Sequence, residues 1–225
     1  MLKTDSKSLR KRIFEHQFLP KIELERVTID GVRHYVTPSG KAYPSVTTVL
    51  SRKTDKTHLI EWRKRIGETE ATKISVRAAN RGTAIHTICE NYLLNEASYP
   101  ANSMPANIDT FKTLRPLIDK HIGTVYALEH FMYSDSLMTA GATDCIAQFD
   151  GVNSVVDFKT STKIKKEEWI QNYFFQATAY AMMAEERHGI EVPQIAIMIA
   201  VDHEEPQLFV KPKSLYIDQV RELFS

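Results

Sequence analysis

The stretch from Gly141 to Lys159 holds two carboxylates and an amine at spacings that suit metal-assisted hydrolysis. Its Asp150-Gly151 pair fits a two-residue type I′ turn between two extended runs. That turn sets Asp144 directly opposite Asp157 on the partner strand, and Lys159, two residues on, shares their face. Directly opposed strand residues have Cβ atoms about 4.5–5.5 Å apart, and like charges so placed repel. A proton, a cationic side chain or a metal ion can relieve that repulsion. Magnesium in phosphoryl chemistry keeps several waters and takes one or two protein carboxylates, which this pair could supply. A lysine beside them can hold or activate the attacking water and stabilise developing charge. An Asp–Lys pair on an exposed sheet face is the other reading of the same residues. The reverse face carries Cys145, Ala147, Phe149, Val156 and Phe158, which are small or apolar and read as core.

Two helical spacings add candidates. Gly82 and His86 fall on one helix face, where glycine permits close approach and imidazole can ligate a metal or serve as a structural histidine. Gln176 and Tyr180 project an amide and a phenol from one face of the helix that follows Lys159. A helix face packed on the sheet would look the same.

The elements that must position these groups follow from periodicity and punctuation. Glu25 to Val36 reads as a hairpin around Asp30-Gly31, Pro38-Ser39-Gly40 and Tyr43-Pro44 read as turns, and Ser45 is an N-cap. Lys56 to Glu96 is helical with a break at Gly67. Leu59, Trp62 and Ile66 form one apolar stripe there, with Trp62 expected in the core. Ile74, Ala78, Ile85, Ile88 and Leu93 form another. Tyr99 to Pro105 is a loop, and Asn107 to His121 is a helix with an internal Pro116. The period then changes to two, giving strands over Val125–Tyr133, Gly141–Phe149 and Ser154–Lys159. A helix from Lys166 to His188 closes at Gly189, Ile195–Val201 is a buried strand, Gln207–Val210 an edge strand, and a last helix starts near Leu215. This order predicts a mixed sheet flanked by helices, with an added N-terminal region.

The chain has 225 residues, 43% hydrophobic and 25% charged, which excludes disordered, collagenous and coiled-coil classes. Its longest apolar run, Ile195–Val201, is too short to span a bilayer, and the N-terminus opens without an apolar leader, so a soluble cytoplasmic protein is expected. Charge is unevenly spread. Residues 1–81 hold 18 Lys+Arg against 9 Asp+Glu, and residues 82–225 hold 11 against 19. Either a basic region (residues 1–81, a hairpin plus helices) guides a polyanion to an acidic core (residues 82–225) within one compact domain, or the split is only uneven solvated charge. Ser6 to Arg12 adds basic residues that fray or lie along a surface. Arg63, Lys64 and Arg65 are the expected phosphate contacts, with hydroxyls from Ser45 and Thr47 at a helix N-terminus.

Taken together, His86, Asp144, Asp157-Phe158-Lys159 and Gln176-x-x-x-Tyr180 resemble the RecB-type branch of the PD-(D/E)XK nuclease superfamily, in residue types and in the order of elements. Further motifs are Tyr43-Pro-Ser-Val-Thr-Thr48, Trp62-Arg63, Arg81-Gly82-Thr83-x-x-His86 and the run from Gly141 to Ala147. They narrow the resemblance to the mitochondrial genome maintenance exonucleases and their compact bacteriophage relatives, across roughly residues 30 to 210.

The resemblance implies an α/β (α+β) fold with a restriction-endonuclease-like αβββαβ core, and a hairpin and helices added before it. It makes Asp144 and Asp157 metal ligands, with the Phe158 carbonyl completing the shell and His86 ligating or standing close by. Lys159 becomes the catalytic lysine, Gln176 and Tyr180 orient it and the substrate phosphate, and Glu129 lends support. Arg81 joins the DNA-binding set. Thr143 stands where the signature has proline. One or two Mg²⁺ or Mn²⁺ ions are implied, and Cys89 and Cys145 are too few for an iron–sulfur cluster. The implied activity is metal-dependent DNA exonuclease cleavage of single strands or flaps in replication, repair or recombination. Duplex-end resection, structure-specific endonuclease cleavage and an inactive nucleic-acid-binding module are the rivals.

Overall fold

A computed structural model describes residues 12–97, 99–100 and 103–225; of the basic run at the N-terminus only Arg12 falls among them. The elements are β1 (Glu25–Ile29), β2 (Val32–Val36), β3 (Ala42–Pro44), α1 (Val46–Lys53), α2 (Thr57–Ile66), α3 (Glu68–Leu93) and α4 (Pro105–His121). There follow β4 (Ile122–Ser134), β5 (Thr139–Phe149), β6 (Val152–Ser161), α5 (Gln171–His188), β7 (Gln194–Val201), β8 (Gln207–Pro212) and α6 (Ile217–Phe224). Among the described residues, no helix is long and apolar enough to cross a membrane.

The main sheet has the order β4-β5-β6-β7-β8 and is mixed: β6 and β7 run parallel, joined through α5, and the other neighbours are antiparallel. Two cores form on its two faces. On one, Ile146, Val155, Ile195 and Ile197 meet Val46 and Leu50 of α1, Phe174 and Ala177 of α5, and Val220 of α6. On the other, Cys145, Ala147, Phe149, Val156 and Phe158 meet Ile85 and Ile88 of α3 and Phe111, Leu114 and Ile118 of α4. β7 packs on both sides, which explains why its sequence is a continuous apolar run rather than an alternation.

Local chemistry accounts for the junctions. Asp30 and Gly31 have φ of 50° and 72°, and Asp150 and Gly151 have φ of 51° and 82°, as type I′ turns require. The Ser45 side chain accepts from the Thr48 N–H at 3.2 Å, capping α1. Gly189, at φ 65°, ends α5 in the left-handed conformation.

Some expectations are corrected. Tyr43-Pro44 lies in β3, hydrogen-bonded to β2, and Pro44 is tolerated at the end of an edge strand. Glu167–Trp169 forms a 3₁₀ turn, and α5 starts only at Gln171. Every residue of α2 is exposed or half-buried, so Trp62 does not enter the core. Ile74 and Ala78 in the first half of α3 are likewise exposed, because only the second half of that helix reaches the sheet. The charge boundary near residue 81 falls inside α3, which is continuous there.

Candidate active site

The hairpin that presents the two aspartates has the register its turn dictates, Cys145 pairing Val156 through to Phe149 pairing Val152. The next row would oppose Asp144 and Asp157, and there backbone pairing stops. Instead the Phe158 N–H donates to Asp144 Oδ2 at 2.9 Å. Asp157, 2% exposed, holds Lys159: Nζ lies 2.6 Å from Oδ1 and 2.5 Å from Oδ2. Only the first contact has hydrogen-bond geometry, so Asp157 Oδ2 is buried without a hydrogen-bond partner among the described residues.

The same row extends into β4. Leu128 pairs Cys145 and His130 pairs Thr143, which leaves Glu129 facing Asp144 from the other side. Glu129 has φ of 42°, a conformation that costs a residue with a β-carbon about 1–3 kcal/mol. The faces exchange at this row. Leu128 and Cys145 belong to the α3–α4 side, whereas Met132 belongs to the α5 side and its partner Gly141 touches Tyr180 of α5. A methyl group on Gly141 would stand 2.8 Å from the Tyr180 hydroxyl, so glycine is what seats that phenol.

α3 brings His86 over the row. Its Nε2–H donates to the Phe158 carbonyl at 2.6 Å, which turns Nδ1 toward Asp144 Oδ1 at 3.3 Å and Glu129 Oε1 at 3.9 Å. His86 Nδ1 and one oxygen each of Glu129 and Asp144 all lie within 4.8 Å of one another. A methyl on Gly82 would meet nothing within 4 Å, so that glycine is not needed for packing in the chain alone.

The electrostatics show a shortage of positive charge. Burial pushes the Asp157 carboxyl up to about 6, opposed by Lys159 and aided by Asp144. Burial, with the charge of Asp144, likewise lifts Glu129 to about 7. Burial would also raise Asp144, but His86, the Lys159 ammonium and the Phe158 N–H outweigh it and hold this carboxyl low. Burial disfavours the His86 imidazolium, yet its bond to Asp144 wins and raises it to about 9. Burial likewise opposes the Lys159 ammonium, and the charges of Asp157 and Asp144 prevail to raise it.

Protons thus do in this row what a cation would do. The donor set fits a divalent ion: hard carboxylates suit magnesium or manganese, and the single imidazole is a borderline ligand better matched to a transition ion than to magnesium. The His86 ring also has the usual arrangement of a metal-ligating histidine, its second N–H fixed by a backbone carbonyl. Asp157 stands outside the converging trio, and the Phe158 carbonyl already accepts from His86.

Ion uptake at His86 must displace its proton. The apparent affinity for Mn²⁺, read by calorimetry, is therefore expected to climb with pH up to about 9 rather than level off near the ordinary histidine value of about 6.5. His86→Ala should weaken binding and flatten that climb. An unchanged titration would make His86 a structural residue.

Above the row lies a cleft of about 460 Å³, lined among others by His86, Glu129, Gln176, Tyr180, Ser45 and Thr47. Gln176 hydrogen-bonds the buried Tyr180 phenol, whose pKa burial raises. Thr47 accepts from Arg33 at 2.6 Å. Sequence reasoning missed Arg26 and Arg33, which line this cleft from the β1–β2 hairpin. The signal was present: Arg26 pairs Tyr35 and Thr28 pairs Arg33, so these four share a face. Of the expected DNA contacts, Lys64 and Arg65 are exposed on α2 and Arg63 pairs with Glu68. Arg81 is turned away, donating to Asp202 Oδ2 at 2.8 Å beside a different cavity.

No family model matches the sequence, and no curated protein matches it significantly. Among solved structures, one named "Putative exonuclease" from Eubacterium rectale superposes with a TM-score of 0.37 at 10% identity, covering 64% of this chain and 67% of that one.

Proposed function

We propose that the protein is a metal-dependent deoxyribonuclease of the RecB-type PD-(D/E)XK kind, an exonuclease acting on single strands or flaps. The reading rests on one observation: Asp144, flanked by Glu129 and Asp157 across three adjacent strands, meets His86 on one side and the Lys159–Asp157 pair on the other. A divalent ion held by Asp144 and its neighbours would polarise the scissile phosphate. Lys159, an ammonium at neutral pH, donates to the attacking water and stabilises charge on phosphate oxygens rather than abstracting a proton. Gln176 and Tyr180 offer an amide and a phenol to substrate oxygens in the cleft.

End-labelled single-stranded and duplex DNA, incubated with the protein and Mg²⁺, Mn²⁺ or EDTA, tests the reading. Metal-dependent shortening of the single strand from an end is expected, with closed circular single strands left intact. Cleavage of circles would make it an endonuclease, faster loss of duplex ends a resecting exonuclease, and binding without cleavage an inactive module.

The basic face of α2 is proposed to guide the strand. Neutralising Arg63, Lys64 and Arg65 together should lower the salt slope of single-strand binding by about 0.7 per lost phosphate contact. KM should rise while saturated turnover holds. Unchanged affinity and slope would remove α2 from the substrate path.

A further inference from the structure

A second cavity, of about 380 Å³, opens beside the cleft, between α1, the start of α2 and the first turns of α5. Thr47 and Gln176 line both cavities, so the two are contiguous. Its walls are apolar where Leu50, Leu59 and Tyr173 contribute. Polar and charged side chains also line it, Asp55, Lys56 and Asn172 among them, while most of its exposed surface is apolar. The Asn172 amide spends one N–H on Thr54 Oγ1 at 2.8 Å, and its second N–H and its carbonyl make no hydrogen bond among the described residues. Tyr173 ties this cavity to the reacting groups, because the Lys159 ammonium lies 5.1 Å from its ring centroid. An apolar slot with an aromatic wall and one free amide edge is the chemistry that accepts a nucleobase: a flat ring to stack, and a donor and acceptor on its rim. The cavity is one side chain away from Lys159, which places such a base next to the phosphate under attack.

Resting on the nuclease reading, we propose that this cavity binds the unpaired nucleobase adjoining the scissile phosphate. It thereby selects substrates whose end is single-stranded. A paired base must first unstack at a cost of a few kcal/mol, and an unpaired base enters without it. The cavity, rather than the metal row, is then the source of strand selectivity.

The test uses the full chain with Mn²⁺ and single-stranded oligonucleotides carrying one abasic residue, moved stepwise along the strand. Single-turnover rates are read at each phosphodiester. Base stacking worth about 1–3 kcal/mol predicts a roughly 5- to 150-fold slowing at the bond beside the abasic residue and little change at distant bonds. Leu59→Trp, which fills the cavity from the exposed helix α2, should bring normal strands to the slow abasic rate. A wild-type protein that cuts normal and abasic positions equally would overturn the cavity assignment and leave the nuclease reading standing. Absence of metal-dependent cleavage on every strand would instead overturn the nuclease reading, and this inference with it.

Discussion

Lys159→Ala is expected to keep the fold and DNA binding while slowing metal-dependent cleavage by about 10²–10⁴-fold. The fold survives because the group left behind can take up a proton. Asp157 already sits near pKa 6 with the lysine present, and without it the carboxyl rises further and is neutral at working pH. An uncompensated buried charge, the usual reason such a truncation unfolds a protein, is thereby avoided. Circular dichroism and a filter-binding assay check the first half, and single-turnover kinetics the second. Near-wild-type rates in a pure preparation would remove Lys159 from the chemistry.

Asp157→Asn should move activity and stability in opposite directions. Turnover should vanish with the carboxylate, yet the metal-free protein should melt higher. A carboxyl with a raised folded-state pKa stabilises the fold fully below its unfolded value, near 3.9, and that contribution is lost as pH rises through about 6. At pH 7.5 the wild type therefore carries an ionised Asp157 that its burial and Asp144 oppose. Asparagine mimics the neutral form and still offers Lys159 an oxygen. The gain is about 3 kcal/mol, or roughly 6–12 °C in Tm for a chain of this size, and it should largely vanish by pH 4. A variant that melts below the wild type in EDTA at pH 7.5 would show that the pairing with Lys159 dominates instead.

The sequence was most legible where backbone chemistry is local. Asp150-Gly151 alone fixes the hairpin register, and with it the Asp144–Asp157 row and the identity of the reverse-face core. Ser45 and Gly189 mark their helix ends for the same reason. What was illegible depends on distant partners. Strict alternation cannot foresee the face exchange at Glu129, because no local residue marks it. Only the demands of α3 on one side and α5 on the other favour the strained backbone. Helical spacing likewise suggests a buried stripe on α2, yet among the described residues nothing buries it fully, so Trp62 and Leu59 remain outside the core. Arg81 shows the limit of charge counting, since it is neutralised by Asp202, whose proximity the sequence does not reveal.

The position of β6 at the centre of its sheet has a bearing on how a substrate could be admitted. Asp157, Phe158 and Lys159 pair along β7 with Ile197, Met198 and Ile199, and β7 is itself covered on both faces. Amides here are held by the most deeply packed part of the molecule, so their hydrogen exchange should require global unfolding. α2, with no fully buried residue, belongs to the class of segments that open at little cost. Any motion that opens the cleft is therefore expected in the N-terminal helices and hairpin rather than in the sheet. The carboxylates and the lysine stay fixed, as an anvil does, against whatever the cleft admits.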